Sequence, residues 1–220
     1  MFSDLQVLKP PAAERLMLPG PAGALETLLE TPADAAAPPR AVAVVCHPHP
    51  LFGGTLDNKV VWTVARAFRQ LGAPALRFNF RGVGHSAGAY DDGRGETDDL
   101  AAAIGYARGR WPQAALWLGG FSFGGVVALR AAAAAHAQRL VLIAPGINKI
   151  DVTQAPPPPC PWLLVQGDAD EVVPAPAVLA WAQGVTPAPT IRVLPGAGHF
   201  FHGRIHELRD AVLEFMAQAA

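Results

Sequence analysis

The chain has 220 residues, of which 51% are apolar and 16% charged, and its formal net charge is −1. That balance fits a globular protein with a large buried core and excludes a disordered one. With no basic block or acidic tail, it gives no electrostatic ground for nucleic acid or an anionic membrane as partner.

Two cysteines, Cys46 and Cys160, are too few for a disulfide framework, and the N-terminus lacks a charged leader followed by an apolar stretch. A single cytoplasmic domain spanning 1–220 is expected. No apolar run approaches the roughly 18 residues of a membrane span.

In chain order, 14–31 reads as two strands around a Pro/Gly turn, an antiparallel edge hairpin, and the Ala- and Pro-rich stretch 33–40 as a surface loop. Short apolar runs follow at 41–46, 74–80, 114–120, 139–144, 162–167 and 190–195, each of strand length. Between and after them, 56–71, 96–110, 123–137, 174–183 and 201–219 carry apolar residues at three- and four-residue spacing among good helix formers. This alternation predicts an α/β fold, a mostly parallel sheet with helices on both faces. Ligands of such sheets bind beyond the carboxyl ends of the strands, so the loops after each run are the segments that can carry chemistry.

The loop after 114–120 is Gly120-Phe121-Ser122-Phe123-Gly124, a Gly-x-Ser-x-Gly between a strand and a helix. There a sharp turn exposes the serine hydroxyl at a helix N-terminus, whose partial positive charge favours developing negative charge. A second match, Gly84 to Gly88 around Ser86, is followed by "AYDDGRGE", a loop instead of a helix, so Ser86 reads as a turn serine. A serine hydroxyl is a weak nucleophile and needs a histidine base held by a carboxylate, in the chain order Ser, acid, His. "DADEVVP" after 162–167 offers Asp168, Asp170 and Glu171, and "GAGH" after 190–195 offers His199.

Residues Cys46 to Gly54, "CHPHPLFGG", close the first core strand. An oxyanion hole needs the N–H of the residue after the nucleophile, Phe123, and one from this loop. Pro48 and Pro50 have none, which leaves the amide of His49 as the first candidate and Leu51 as the second. Cys46 reads as a buried strand residue. His199, His202 and His206 lack both the His-Glu-x-x-His pair and a cysteine cluster, so no metal is expected, and His202 and His206 fall to the first turns of the last helix. Gly82, Gly84 and Gly88 follow a strand, but no helix opens there, so the segment is not read as a dinucleotide fingerprint; no cofactor is expected.

Through "HPHPLFGGTLDNKVV", "FRGVGHSAG", "GFSFGG", "GDADEVVP" and "GAGHFFHGR", nearly the whole chain resembles the small lidless α/β-hydrolases, a group similar in pattern to dienelactone hydrolases and lidless serine esterases. The resemblance implies that Asp170, the second aspartate of its loop, is the acid, that His199 is the base, and that Asn58 and Arg81 organise loops. The chain has Ser122 where dienelactone hydrolases have cysteine and where epoxide hydrolases and haloalkane dehalogenases have aspartate. Hydrolysis of a small-molecule ester is what remains, with thioesters and amides as variants and a non-catalytic ligand-binding homologue as the rival; a complete Ser, acid and His set favours catalysis. Between 139–144 and 162–167 there is only Pro145 to Pro161, too proline-rich to build a helical cap, which predicts a site open to solvent.

Overall fold

The computed structural model describes residues 12–33, 38–153 and 155–218. The middle of the 33–40 loop and the last residue of the 201–219 helix lie outside them. The chain runs β1 (Ala12–Gly20), β2 (Gly23–Thr31), β3 (Ala41–Cys46), a 3-10 turn (Pro50–Phe52), α1 (Lys59–Gln70), β4 (Ala75–Phe78), α2 (Arg94–Arg110), β5 (Ala115–Phe121), α3 (Phe123–Ala132), β6 (Arg139–Ile143), β7 (Trp162–Gly167), α4 (Ala175–Gln183), β8 (Thr190–Leu194) and α5 (Ile205–Ala217). Among the described residues no helix is long and apolar enough to cross a membrane.

Alternation along the strands sets the layers. Val42, Val44 and Cys46 of β3 join one core with Leu100, Ile104, Val127 and Val178 of α2, α3 and α4; Ala41, Ala43 and Val45 join the other with Val64, Phe68, Val212 and Phe215 of α1 and α5. Both faces of the sheet are therefore covered, which is why its inner strands read as unbroken apolar runs. The sheet order is β1-β2-β4-β3-β5-β6-β7-β8; the β1–β2 and β2–β4 pairs are antiparallel and all others parallel. From β3 the chain steps outward to β4 and then back across to β5. The crevice beyond the ends of β3 and β5 is the switch point where such sheets bind ligands.

Helix ends differ from the sequence reading where capping chemistry intervenes. Predicted from 56, α1 starts at Lys59 because the Asn58 side chain accepts the N–H groups of Val60 at 2.9 Å and Val61 at 3.4 Å. The last helix, predicted from 201, waits until Ile205 because Phe201 and Gly203 take positive φ. His202 therefore sits before the helix and only His206 is on its first turn. The helix predicted over 123–137 leaves its regular span at Ala132 and closes through His136 at φ 44, with Ala137 N–H returned to the Ala132 carbonyl.

Between β3 and its loop stands His47, with no exposed surface. Its Nδ1–H donates to the Pro48 carbonyl and its Nε2 accepts the Phe80 N–H at 3.0 Å, a pair that only neutral imidazole can satisfy. Burial pushes its pKa down to about 4, against the opposing pull of the Pro48 carbonyl. Because the folded value lies below the unfolded one, this group's contribution is fully present above about pH 6.5 and drains away as pH falls toward 4, amounting to about 3 kcal/mol. Guanidinium unfolding at pH 7 and pH 4.5 should show a smaller acid-induced loss for His47→Gln than for the parent; equal losses would remove His47 from the acid response.

Candidate active site

The loop between β5 and α3 holds its shape because two glycines allow backbones to touch. A methyl placed on Gly120 would lie 2.2 Å from the Gly124 carbonyl oxygen, and one on Gly124 would lie 2.3 Å from the His47 carbonyl oxygen. Ser122, between them, has φ 53 and ψ −118, a conformation an L-residue adopts only under constraint. That strain aims Oγ past the start of α3 at the switch point.

Ser122 Oγ lies 3.1 Å from His199 Nε2, and His199 Nδ1 lies 2.8 Å from Asp170 Oδ2. The three side chains come from the loops after β5, β8 and β7. A carboxylate only accepts, so the imidazole proton belongs on Nδ1 and Nε2 is left as acceptor for the serine hydroxyl. The His199 ring is wedged between Phe121, at 4.9 Å between centroids, and the edge of Phe200, at 5.1 Å. Its backbone N–H donates to Glu171 Oε2 at 3.2 Å, which anchors the histidine loop to the aspartate loop.

Asp170 Oδ1 accepts the N–H groups of Val172 at 2.9 Å and Val173 at 2.7 Å, while Oδ2 takes His199 and also Gln166 Nε2 at 3.0 Å. Burial pushes the carboxyl up, but the hydrogen bonds from His199, Val173 and Val172 outweigh it and hold it below the ordinary aspartate value. It stays ionised at neutral pH. Asp168, by contrast, is exposed and accepts the Gly196 N–H at 2.6 Å.

His49 caps the 3-10 turn, its Nδ1 accepting the Leu51 N–H at 3.2 Å. Leu51, the second oxyanion candidate, therefore has its amide engaged. The His49 ring packs 5.0 Å from that of Phe123 and 4.9 Å from Tyr90, and its Nε2 is 3.2 Å from the Tyr90 hydroxyl. Phe123 opens α3, so its N–H precedes the helical ladder and has no i−4 carbonyl to meet. The amides of Phe123 and His49 thus belong to two loops in backbone contact.

The site is less open than the short connection suggests. Pro145 to Pro161 builds no helix among its described residues, yet Ser122 is only 9% exposed and His199 2%. The connection starts by turning against the serine loop, where Gly146 N–H donates to the Ser122 carbonyl at 3.0 Å. Beside the site residues, Leu51, Phe52, Val172 and Phe200 are exposed, with Phe52 packed 4.7 Å from the His49 ring and Phe200 5.1 Å from the His199 ring. Sequence reasoning did not single out these apolar side chains.

The other candidates lie elsewhere. Ser86 is buried and pinned, its Oγ donating to the Asn79 carbonyl at 2.7 Å and accepting the Glu26 N–H at 2.9 Å. Cys46 is buried in β3, and burial pushes its thiol far above the ordinary range. Arg81 lies on Asp99, through its backbone N–H at 2.9 Å and its guanidinium at 2.8 Å, and ties the loop after β4 to α2. His202 is exposed and stacks on Phe200. Gln166 went unremarked because it ends an apolar run; the signal available was an amide at the last-but-one position of a buried strand, two residues from Leu164.

Residues 37–159 match the family model described as serine aminopeptidase, S33. The crystal structure of XC6422 from Xanthomonas campestris, an α/β serine hydrolase without a lid, is 44% identical, superposes with a TM-score of 0.90 and is covered over 96% of each chain. An α/β serine hydrolase homologue from Coxiella burnetii is 41% identical with a TM-score of 0.87, covering 91% of this chain and 96% of that one. The protein RP471 of Rickettsia prowazekii is 32% identical over 207 residues, 90% of this chain and 86% of its own.

Proposed function

Since the chain belongs to the serine aminopeptidase S33 family and is a small lidless α/β serine hydrolase, we propose that it cleaves short-chain carboxylic esters through an acyl-Ser122 intermediate. The observation that carries this reading is the continuous hydrogen-bonded line from Ser122 Oγ through His199 to Asp170. In the proposed reaction Ser122 Oγ attacks the ester carbonyl as its proton passes to His199 Nε2, and Asp170 stabilises the imidazolium that forms. The N–H groups of Phe123 and His49 receive the negative charge on the carbonyl oxygen; a donor of this kind contributes about 3–4 kcal/mol in related chemistries. His199 then returns the proton to the departing alcohol, and water repeats the sequence to free the acid.

Chain-length preference follows from the walls available. The side chains of Leu51, Phe52, Val172 and Phe200 are apolar but exposed, and no helical cap stands over them among the described residues. An acyl chain longer than these side chains can cover leaves methylenes in water, each forgoing about 0.8 kcal/mol of binding. A panel of p-nitrophenyl esters from acetyl to palmitoyl should therefore give the highest kcat/KM at acetyl or butyryl, without a jump at the solubility limit. A steady rise to palmitoyl overturns the short-chain assignment, and absence of both turnover and a fluorophosphonate adduct overturns the hydrolase reading. Amino-acid p-nitroanilides form the second arm, since the family model is described as an aminopeptidase; faster cleavage of these than of the esters would make peptides the substrates.

A further inference from the structure

Gln166 occupies a place where the rest of β7 puts apolar side chains. It has no exposed surface and lies on the same side of the strand as Trp162 and Leu164. Its Nε2 is 3.0 Å from Asp170 Oδ2, 3.1 Å from the Val173 carbonyl oxygen and 3.4 Å from that of Gly167. Three oxygens, one of them anionic, face that nitrogen. The reversed amide would set oxygen against oxygen, so the surroundings fix its orientation. Its own Oε1 has no hydrogen-bond partner among the described residues. Burying an unpaired acceptor is unfavourable, a cost that leucine or methionine would not carry; what the amide adds at this place is a donor to Asp170 Oδ2 and to the two carbonyls.

We infer that Gln166 is a positioning residue for the Asp170–His199 pair, holding Asp170 Oδ2 against His199 Nδ1 and drawing on the charge of that oxygen. The inference rests on the proposed roles of Ser122, His199 and Asp170. Oδ2 is the one oxygen that both donors share, while Oδ1 is held by the Val172 and Val173 amides. A second donor on Oδ2 stabilises the carboxylate but weakens its pull on the imidazolium proton. Without Gln166 the carboxylate becomes more basic and His199 harder to deprotonate. The ionisable groups nearby are Asp170, His199, Glu171, which accepts the His199 N–H, and exposed Asp168, turned to Gly196. Helix α4 contains no charged residue, and Arg192 of β8 pairs with Glu214.

Two variants test this, with NMR titration of the His199 ring read beside the pH profile of kcat/KM for p-nitrophenyl acetate. In Gln166→Met the His199 titration and the acid limb of the profile should both move up by about half a pH unit or more, and plateau kcat should fall about tenfold with KM little changed. Gln166→Glu, nearly isosteric, separates donation from packing. While its carboxyl is protonated it donates to Asp170 Oδ2 and activity is retained. Once it ionises the two carboxylates repel, so this variant should gain a descending alkaline limb where the parent is flat. Coincident titrations and limbs in parent and Gln166→Met, or a Gln166→Glu profile without the new limb, overturn the assignment. If the methionine variant does not fold, the glutamate variant decides alone. Should the parent hydrolyse no ester, the functional reading fails, while the His199 titrations still decide the role of Gln166.

Discussion

Replacing Ser122 with alanine is expected to lower kcat for p-nitrophenyl acetate by roughly 10⁵- to 10⁶-fold and to abolish fluorophosphonate labelling. The same replacement at Ser86, in the other Gly-x-Ser-x-Gly, should leave activity within about tenfold and reduce stability by about 1–3 kcal/mol. The contrast follows from what each hydroxyl touches. The side chain of Ser122 is hydrogen-bonded to His199, whose other ring nitrogen is held by Asp170. Ser86 Oγ joins the part-buried β2 backbone at Glu26 to the buried Asn79 carbonyl, so its loss strands these two backbone groups and removes no proton acceptor. Comparable activity loss in both variants, with melting temperatures unchanged, would mean that the loop after β4 takes part in the chemistry.

That contrast also shows what a sequence reveals and what it hides. Both serines sit in the same five-residue pattern, and the segment after each separates them: "GGVVALRAA" continues as α3, whereas "AYDDGRGE" runs through a loop before α2 begins. Hydrophobic period carries that information because burial on both faces of the sheet demands it. The mostly parallel sheet was legible for the same reason, and the edge hairpin from its Pro/Gly turn, whereas the strand order was not.

Other features depend on contacts between segments far apart in the chain, and a linear reading has no access to them. The proline-rich connection after β6 does lack a helical cap among its described residues, but its Gly146 N–H donates to the Ser122 carbonyl, and Ser122 is only 9% exposed. The start of α5 moved because Phe201 adopts a positive φ that nothing in its residue type announces. The sequence offers Glu171 as an acid beside Asp168 and Asp170; in the structure it accepts the His199 backbone N–H instead.

Among the acids of that loop, Asp170→Asn is expected to reduce kcat roughly 10⁴-fold, whereas Asp168→Asn should leave it within about threefold. Every hydrogen-bond partner of the Asp170 carboxylate among the described residues is a donor: Val172 and Val173 amides on Oδ1, His199 and Gln166 on Oδ2. An asparagine there must turn its NH₂ toward one of these pairs. Turned toward Val172 and Val173, it opposes two fixed N–H groups and keeps an oxygen for His199, but without the negative charge that stabilises the imidazolium. Turned toward His199, it forces the ring into the tautomer with the proton on Nε2, and the atom facing Ser122 then donates where it should accept. The first orientation weakens the base and the second removes it, while the fold survives. Asp168 offers one oxygen to the Gly196 N–H, and the amide oxygen of asparagine can take that bond unchanged. Kinetics of the two variants with p-nitrophenyl acetate decide the matter: the reverse ranking moves the acid to Asp168, and equal small losses mean that His199 works without a carboxylate partner.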